Sequence, residues 1–227
     1  MTGTSTKLGR RLDLAQTLHA RTKRDYLARV ADDKASCAQV ASEFGFDYWD
    51  GERRYGYGGY RYDGRWRPLA DELARRYALQ AGDRVLDVGC GKGYLLYELT
   101  QVAPGIEPCG IDISDYAIQN GKPEIAQSLA VGDAVALPIA DRSIDLVISL
   151  GTLHNLGVAD LWTALREIER VRRRDAYVMV ESYRDEREKA NLLAWQLTCR
   201  SFYSVADWEW VFEQAGYGGD YGFIFFT

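Results

Sequence analysis

The stretch Asp83-Arg-Val-Leu-Asp-Val-Gly-Cys-Gly-Lys-Gly-Tyr-Leu-Leu-Tyr97 constrains this chain more than any other. Val85, Leu86 and Val88 form a short apolar run that suits a buried strand. Gly89, Gly91 and Gly93 follow, and with no Cβ the backbone there can turn tightly and approach a ligand. Tyr94-Leu-Leu-Tyr-Glu-Leu99 then carries apolar residues at helical spacing. Strand, glycine turn and helix N-terminus in this order make a ligand site at the carboxyl end of a strand in an α/β sheet.

Two ligands fit this turn poorly. A phosphate-binding loop needs Gly-x4-Gly-Lys-Ser/Thr, and Lys92 is followed by Gly93. A dinucleotide fingerprint needs its third glycine where Tyr94 stands, which weakens a nicotinamide oxidoreductase. The remaining pattern is hydrophobic-Leu-Asp-hydrophobic-Gly-x-Gly-x-Gly. With these residues the chain resembles the class I S-adenosylmethionine-dependent methyltransferases, whose first motif Asp87–Gly93 matches closely. Further family motifs fall in order at 111–113, 132–134 and 144–150, so the resemblance covers roughly residues 68–183.

Alternating strand and helix patterns from 84 to 180 predict an α/β fold with a doubly wound, mostly parallel, Rossmann-like sheet. Strands are expected at 84–88, 109–113, 129–131, 144–149, 176–180 and 221–227. Helices are expected at 67–77, 93–102, 116–121, 161–172 and 186–197, with a turn at 172–175. Ser114 can cap one helix, and Ser204-Val-Ala-Asp207 has capping-box spacing before another that Gly216 ends. The family fold usually closes on an antiparallel strand pair, and only one clear strand remains here. Upstream, Leu12, Leu14, Leu18, Tyr26, Leu27 and Val30 suggest a charged helical stretch, with a break at Asp32-Asp33 before a short helix through Val40. Residues 46–66 pack aromatics, glycines and arginines without a period. The expected division is an N-terminal extension and aromatic lid at 1–67, then the core at 68–227.

Net charge is −5, from 28 basic and 33 acidic residues, which disfavours a phosphate-gripping nucleic-acid protein. Cys37, Cys90, Cys109 and Cys199 form no CxxC pair and read as reduced thiols, and no clustered ligands suggest a metal. The absence of an apolar leader or a membrane-length run suggests a cytoplasmic chain without membrane contact. A surface rich in Tyr and Trp is compatible with a homodimer.

The resemblance implies site residues. Asp112 matches the family acid that accepts from the ribose hydroxyls, with Ile113 beside it, although it could also be a solvated helix cap. Asp133, between Gly132 and Ala134, matches the acceptor from the adenine amino group, or makes an Asx-turn. Asp87 matches the acid near the methionine amino end, or orders the loop. Gly89, Gly91 and Gly93 approach the cofactor, and Ser149 and Leu150 end the fourth strand beside it. Tyr55, Tyr57, Tyr60, Arg65 and Trp66 are lid candidates, an arginine or tyrosine reaching the methionine carboxylate. The alternative is an aromatic surface that packs on the core. Acidic positions repel a pyrophosphate but not a sulfonium or an ammonium.

For the chemistry, His154 stands at the end of the fourth strand, either as a general base or as a residue that shapes the site. His19 reads as a surface residue. Glu181 and Tyr183 point from the fifth strand toward the acceptor, though Glu181 could pair with an arginine. Gln196, Arg200 and Tyr203 are pocket candidates by position, and Trp208 and Trp210 read as packing residues. The implied activity is methyl transfer from S-adenosylmethionine, leaving S-adenosylhomocysteine, to O or N of a small molecule, a sugar or amino intermediate of a biosynthetic pathway being the first choice. RNA or protein methylation and a non-catalytic S-adenosylmethionine-binding protein stand as alternatives. Ser149-Leu-Gly-Thr152 replaces the Asn/Asp-Pro-Pro-Tyr pattern usual for nucleic-acid amino methylation.

Overall fold

The computed structural model describes residues 7–15 and 24–227. Leu18 and His19 lie outside the described residues. Among the described residues three short helices come first: α1 (Tyr26–Ala31), α2 (Lys34–Ala41) and α3 (Phe46–Trp49). Then follow α4 (Arg67–Arg76), β1 (Arg84–Val88), α5 (Tyr94–Val102), β2 (Glu107–Asp112), α6 (Asp115–Gln119), β3 (Leu129–Val131) and β4 (Ile144–Leu150). The chain continues through α7 (Val158–Val171), β5 (Arg172–Glu181), α8 (Glu186–Trp195), α9 (Val205–Ala215) and β6 (Asp220–Ile224).

Local chemistry sets many of these ends. The Asp33 side chain accepts from Ser36 N–H and starts α2, and Ser114 accepts from Ala117 N–H to start α6. Ser204 and Asp207 form the reciprocal capping box of α9, and Gly216 ends it at a φ of 78°.

The six strands form one sheet in the order β3-β2-β1-β4-β5-β6, and every adjacent pair is parallel. The period of two divides the core. Leu86, Val88, Val147, Ala176, Val178 and Val180 face α7 and α9 on one side, while Val85, Leu146, Ile148, Tyr177 and Met179 face α4 and α5 on the other. Strand order reverses between β1 and β4, which opens a crevice at their carboxyl ends.

Three expectations change. Leu12 and Leu14 are not helical. The segment around them lies along the free edge of β6, where Arg11 bridges Tyr221 in parallel, Leu12 N–H donates to Tyr221 O (2.6 Å) and Tyr221 N–H to Arg10 O (3.0 Å). That edge would otherwise expose unpaired backbone groups. Second, Arg172-Arg-Arg-Asp175 is not a turn but the beginning of β5, which α7 enters directly. The arginines tolerate the strand because acids meet them: Glu169 for Arg172 (2.5 Å), Asp145 for Arg173 (2.5 Å) and Asp83 for Arg174 (3.2 Å). Third, the sheet is parallel throughout, because β6 pairs directly with β5 and no antiparallel strand occurs among the described residues.

Candidate active site

β1 delivers buried Asp87 to the crevice, and the turn then places Gly89 and Gly91 at φ of 81° and 54°. A Cβ on Gly89 would stand 1.9 Å from Thr152 Oγ1, and one on Gly91 would stand 2.8 Å from Trp49 Cη2. Glycine is therefore required for the β4 loop to approach from one side and the aromatic segment from the other. A cavity of about 270 Å³ opens at this turn. Asp87, Gly89, Cys90 and Gly91 bound it on one side, and Leu150, His154, Met179 and Glu181 on another. Tyr57, Tyr60, Arg65 and Trp66 come from the N-terminal segment, and Gln196 from just beyond α8.

Two carboxylates face this cavity with an oxygen unused. Asp87 Oδ1 is buried and has no hydrogen-bond partner among the described residues. Loss of water pushes this carboxyl up to about 7, and the nearby Asp112 adds to the shift. Glu181 Oε2 is likewise buried without a hydrogen bond, while Gln196 Nε2 donates to Oε1. Burial pushes Glu181 up to about 8, against the opposing pull of the Arg24 charge and of Gln196.

His154 meets Glu181 at both ring nitrogens. Its Nδ1 accepts from the Glu181 backbone N–H at 3.4 Å, and its Nε2 lies 3.3 Å from Oε2, too oblique for a hydrogen bond. Accepting at Nδ1 assigns the proton of a neutral imidazole to Nε2, on the carboxyl side. The loop carrying His154 is fixed from behind, because Arg200 and Ser201 N–H both donate to His154 O at 2.9 Å. Trp208 Nε1–H donates to Glu181 O at 3.0 Å, so this fully buried indole orients the strand end as well as filling the core.

The aromatic segment is fastened across the glycine turn. Buried Lys92 binds Asp50 at 2.6 Å and donates to Tyr60 O at 3.0 Å, and Tyr116 and Tyr94 hydroxyls donate to Asp50 and Tyr60 O. Trp49 stacks on Tyr57 and donates from Nε1 to Ser114 Oγ at 2.9 Å.

Several other residues singled out from the sequence stand elsewhere. Asp112 is buried outside the cavity wall, its two oxygens accepting from Gly91 N–H (2.7 Å) and Ser114 N–H (2.8 Å). Burial raises its pKa, and these two amides oppose the shift. Ile113, 56% exposed, and exposed Asp133 lie near the surface, and Asp133 accepts from Val135 N–H at 3.1 Å as an Asx-turn. Gly132 and Ala134 flank Asp133 and, like Gly93, are not on the wall; Gly93 precedes α5 and packs toward Ile125 and Leu129. Ser149 is fully buried and ties β4 to β1 through Val88 O (2.9 Å). Tyr183 bridges Ser204 and packs beneath Lys189, away from the cavity. Tyr55 lies under Arg54, Arg200 lies beside Gly157, and Tyr203 packs edge-on against Trp208. Trp210 is exposed.

Sequence reasoning did not single out Arg24, Arg29, Arg53, Tyr48, Trp49 or Trp195, all on the wall. Tyr48, Trp49 and Arg53 fall within the aromatic segment at 46–66 that the sequence marks as a whole, whereas nothing in their local sequence marks Arg24, Arg29 or Trp195. Lys92 was weighed only against a phosphate loop; its place inside the glycine turn, where it could meet the nearby acids, was the one available signal.

The chain belongs to the methyltransferase-domain family, which it matches over residues 79–216. It is 39% identical over 119 residues to a demethylmenaquinone methyltransferase of Roseiflexus sp. strain RS-1, covering 51% of this chain and 48% of that protein. It is 33% identical over 112 residues to the 27-O-demethylrifamycin SV methyltransferase of Amycolatopsis mediterranei strain S699, covering 46% and 40%. A chain from the solved complex of the Haloferax volcanii Trm112 methyltransferase activator with a methyltransferase shares 28% identity and a TM-score of 0.54, over 66% of this chain and 67% of that one. The chain spans about half the length of the curated relatives it matches, 48% in the first case. S-adenosylmethionine is the cofactor that this membership implies. The donor set fits it: a bare glycine turn, an unpaired buried carboxylate oxygen on Asp87 for an ammonium, and no phosphate-binding hydroxyl after Lys92.

Proposed function

We propose that the chain transfers a methyl group from S-adenosylmethionine to a hydroxyl or amine of a small molecule. The observation that carries this reading is the pair of unused carboxylate oxygens, Asp87 Oδ1 and Glu181 Oε2, on the walls of one cavity beside a glycine turn. Demethylmenaquinone and 27-O-demethylrifamycin SV, named for the relatives, support a small-molecule acceptor.

In this reading Asp87 holds the ammonium of the cofactor, and Arg65 or Tyr60 reaches its carboxylate. Asp112, whose oxygens already accept from Gly91 and Ser114 N–H, orders the glycine turn and keeps a second lone pair on each oxygen for the ribose hydroxyls. Ile113, with Gly132, Asp133 and Ala134, forms an open shelf for the adenine, in keeping with the exposed apolar side chain of Ile113. The bound cofactor supplies an electrophilic methyl on a sulfonium. The protein aligns the acceptor and removes its proton. Glu181 Oε2 is the base, because it is a buried acceptor atom with no hydrogen bond of its own and, unlike Asp87 Oδ1, is not engaged by the cofactor's ammonium in this reading. His154 positions Glu181. Residues 46–66 act as the cover of the core at 68–227, and the cover is held by Lys92–Asp50, whereas the segment around Leu12 belongs to the edge of the sheet. Closing it excludes water, which strengthens the electrostatics at the reacting centre.

The test is methyl-labelled S-adenosylmethionine with the purified chain and a fractionated cell extract, run beside calorimetric titration with S-adenosylhomocysteine. Label in the small-molecule fraction supports the proposal. Label in RNA or protein overturns the acceptor class, and lack of S-adenosylhomocysteine binding overturns the activity. Proteolysis within 46–66 is expected to slow at least threefold when S-adenosylhomocysteine is bound; an unchanged rate would remove the cover.

A further inference from the structure

Arginines in this chain generally meet acids. Arg54 binds Asp32 at 2.5 Å, Arg65 binds Asp63 at 2.6 Å and Arg173 binds Asp145 at 2.5 Å. Arg29 and Arg53 break that habit. Neither makes an ion pair with a described residue. Their guanidiniums donate only to neutral carbonyls, Arg29 to Arg54 O at 2.5 Å and more weakly to Arg53 O at 3.5 Å, and Arg53 to Gly56 O at 2.5 Å. Arg29 is only 9% exposed, and its Nε has no hydrogen-bond partner among the described residues.

Both converge on one ring. The Arg29 guanidinium lies 4.8 Å from the Trp195 centroid, that of Arg53 5.2 Å and that of Arg24 5.9 Å. All four residues line the cavity. Contact with an indole face favours a cation, but three like charges around one ring repel each other in a partly dry site. A chain of net charge −5 has thus gathered cations at one wall and left at least two of them, Arg29 and Arg53, without an ion pair to a described residue. The cluster adjoins the transfer centre, because Gln196, the residue after Trp195, donates to Glu181 Oε1. Tyr57, Phe226 and Ile224 supply flat and apolar wall beside it.

We infer that the methyl acceptor is an anion, a hydroxylated planar ring bearing a carboxylate, with Arg29 and Arg53 binding the carboxylate and the ring lying along Trp195. The carboxylate supplies the missing counter-charge, and a guanidinium can grip it with two parallel N–H donors. The ring hydroxyl then lies toward Glu181. This rests on the methyl-transfer reading and gives it a substrate class.

The probes are 4-hydroxybenzoate and 4-hydroxybenzamide, which share a ring and a hydroxyl and differ in charge. Calorimetric titration uses the full chain saturated with S-adenosylhomocysteine. The acid is expected to bind at least tenfold tighter than the amide. Arg53→Gln, at an exposed position, is expected to shrink that preference below threefold while S-adenosylhomocysteine affinity stays within twofold and the circular dichroism spectrum is unchanged. Arg29→Gln is expected to do the same. Equal binding of the two probes, or no binding of either, overturns the inference. So does a preference that survives both substitutions. A tenfold loss of S-adenosylhomocysteine affinity in Arg53→Gln would mean that the cluster reads the cofactor's own carboxylate, and would overturn it too. An acid preference in a chain that never binds S-adenosylhomocysteine would keep the anion site and remove the transfer reading.

Discussion

The two ends of the crevice treat their acids differently. At one end, on the cavity wall, Asp87 and Glu181 are buried with an oxygen each that makes no hydrogen bond with a described residue. At the other end, Asp112 has both oxygens met by backbone amides, and exposed Asp133 is engaged by Val135 N–H. A buried polar atom left unpaired costs free energy, which a donor entering the cavity would offset. An acid that already has partners can hold up its own loop. The contrast separates residues that a ligand must complete from residues that the fold completes by itself.

The sharpest way to break the comparison is Gly89→Ala. Its Cβ would collide with Thr152 at a positive φ, so S-adenosylhomocysteine binding is expected to fall at least about 100-fold, read by calorimetry with circular dichroism as the folding control. Next is Glu181→Gln, with an expected loss of about 10²–10⁴-fold in kcat and little change in S-adenosylhomocysteine affinity. His154→Gln, if it only positions Glu181, is expected to lose less than that; an equal or greater loss would transfer the base to His154. The wild-type rate should climb with pH through about 8 as Glu181 ionises, a limb that Glu181→Gln removes.

Stability without ligand gives a third measurement. Asp87 and Glu181 hold their protons to about 7 and 8 in the folded chain, well above the ordinary carboxylate range. The folded state therefore binds the extra protons. Their contribution is fully present below the unfolded pKa values and is lost as pH rises through the folded ones. The melting temperature should fall from pH 5 to pH 8, and Asp87→Asn with Glu181→Gln should flatten the decline. The smallest effects belong to the open shelf: Ile113→Ala and Asp133→Ala are each expected to weaken S-adenosylhomocysteine binding about threefold to tenfold, with little change in stability. A larger loss at Asp133 would show that this end, too, depends on its ligand.

Much of the fold was legible because its signals are local. The run Val85–Val88, the glycine turn and the amphipathic residues after it fall within a few positions of one another. Ser114, Ser204 and Gly216 mark ends by hydrogen bonds or φ angles that a neighbouring residue demands. The beginning of β5 was missed because Arg172-Arg-Arg-Asp175 is polar. Only Asp145, Asp83 and Glu169, brought from other elements, make it tolerable in a strand. Leu12 and Leu14 suggest a helix by spacing, yet the open edge of β6 recruits that segment through backbone groups that carry no side-chain signature.

The candidate site divides in the same way. The sequence by itself marked the glycine turn, Asp87, His154 and Glu181, which the structure brings to one cavity, and Asp112, which it keeps off the wall, since all follow strand ends at a fixed spacing from the turn. Only the tertiary structure decided that Tyr183 lies away from the cavity, that Lys92 fastens the aromatic segment, and that Arg24, Arg29 and Arg53 meet around Trp195. Spacing along one element is set by the geometry of a strand or helix, which the sequence reports directly. A meeting between separate elements depends on packing angles and on which charges remain unpaired when the chain closes, and no single stretch of sequence contains that information.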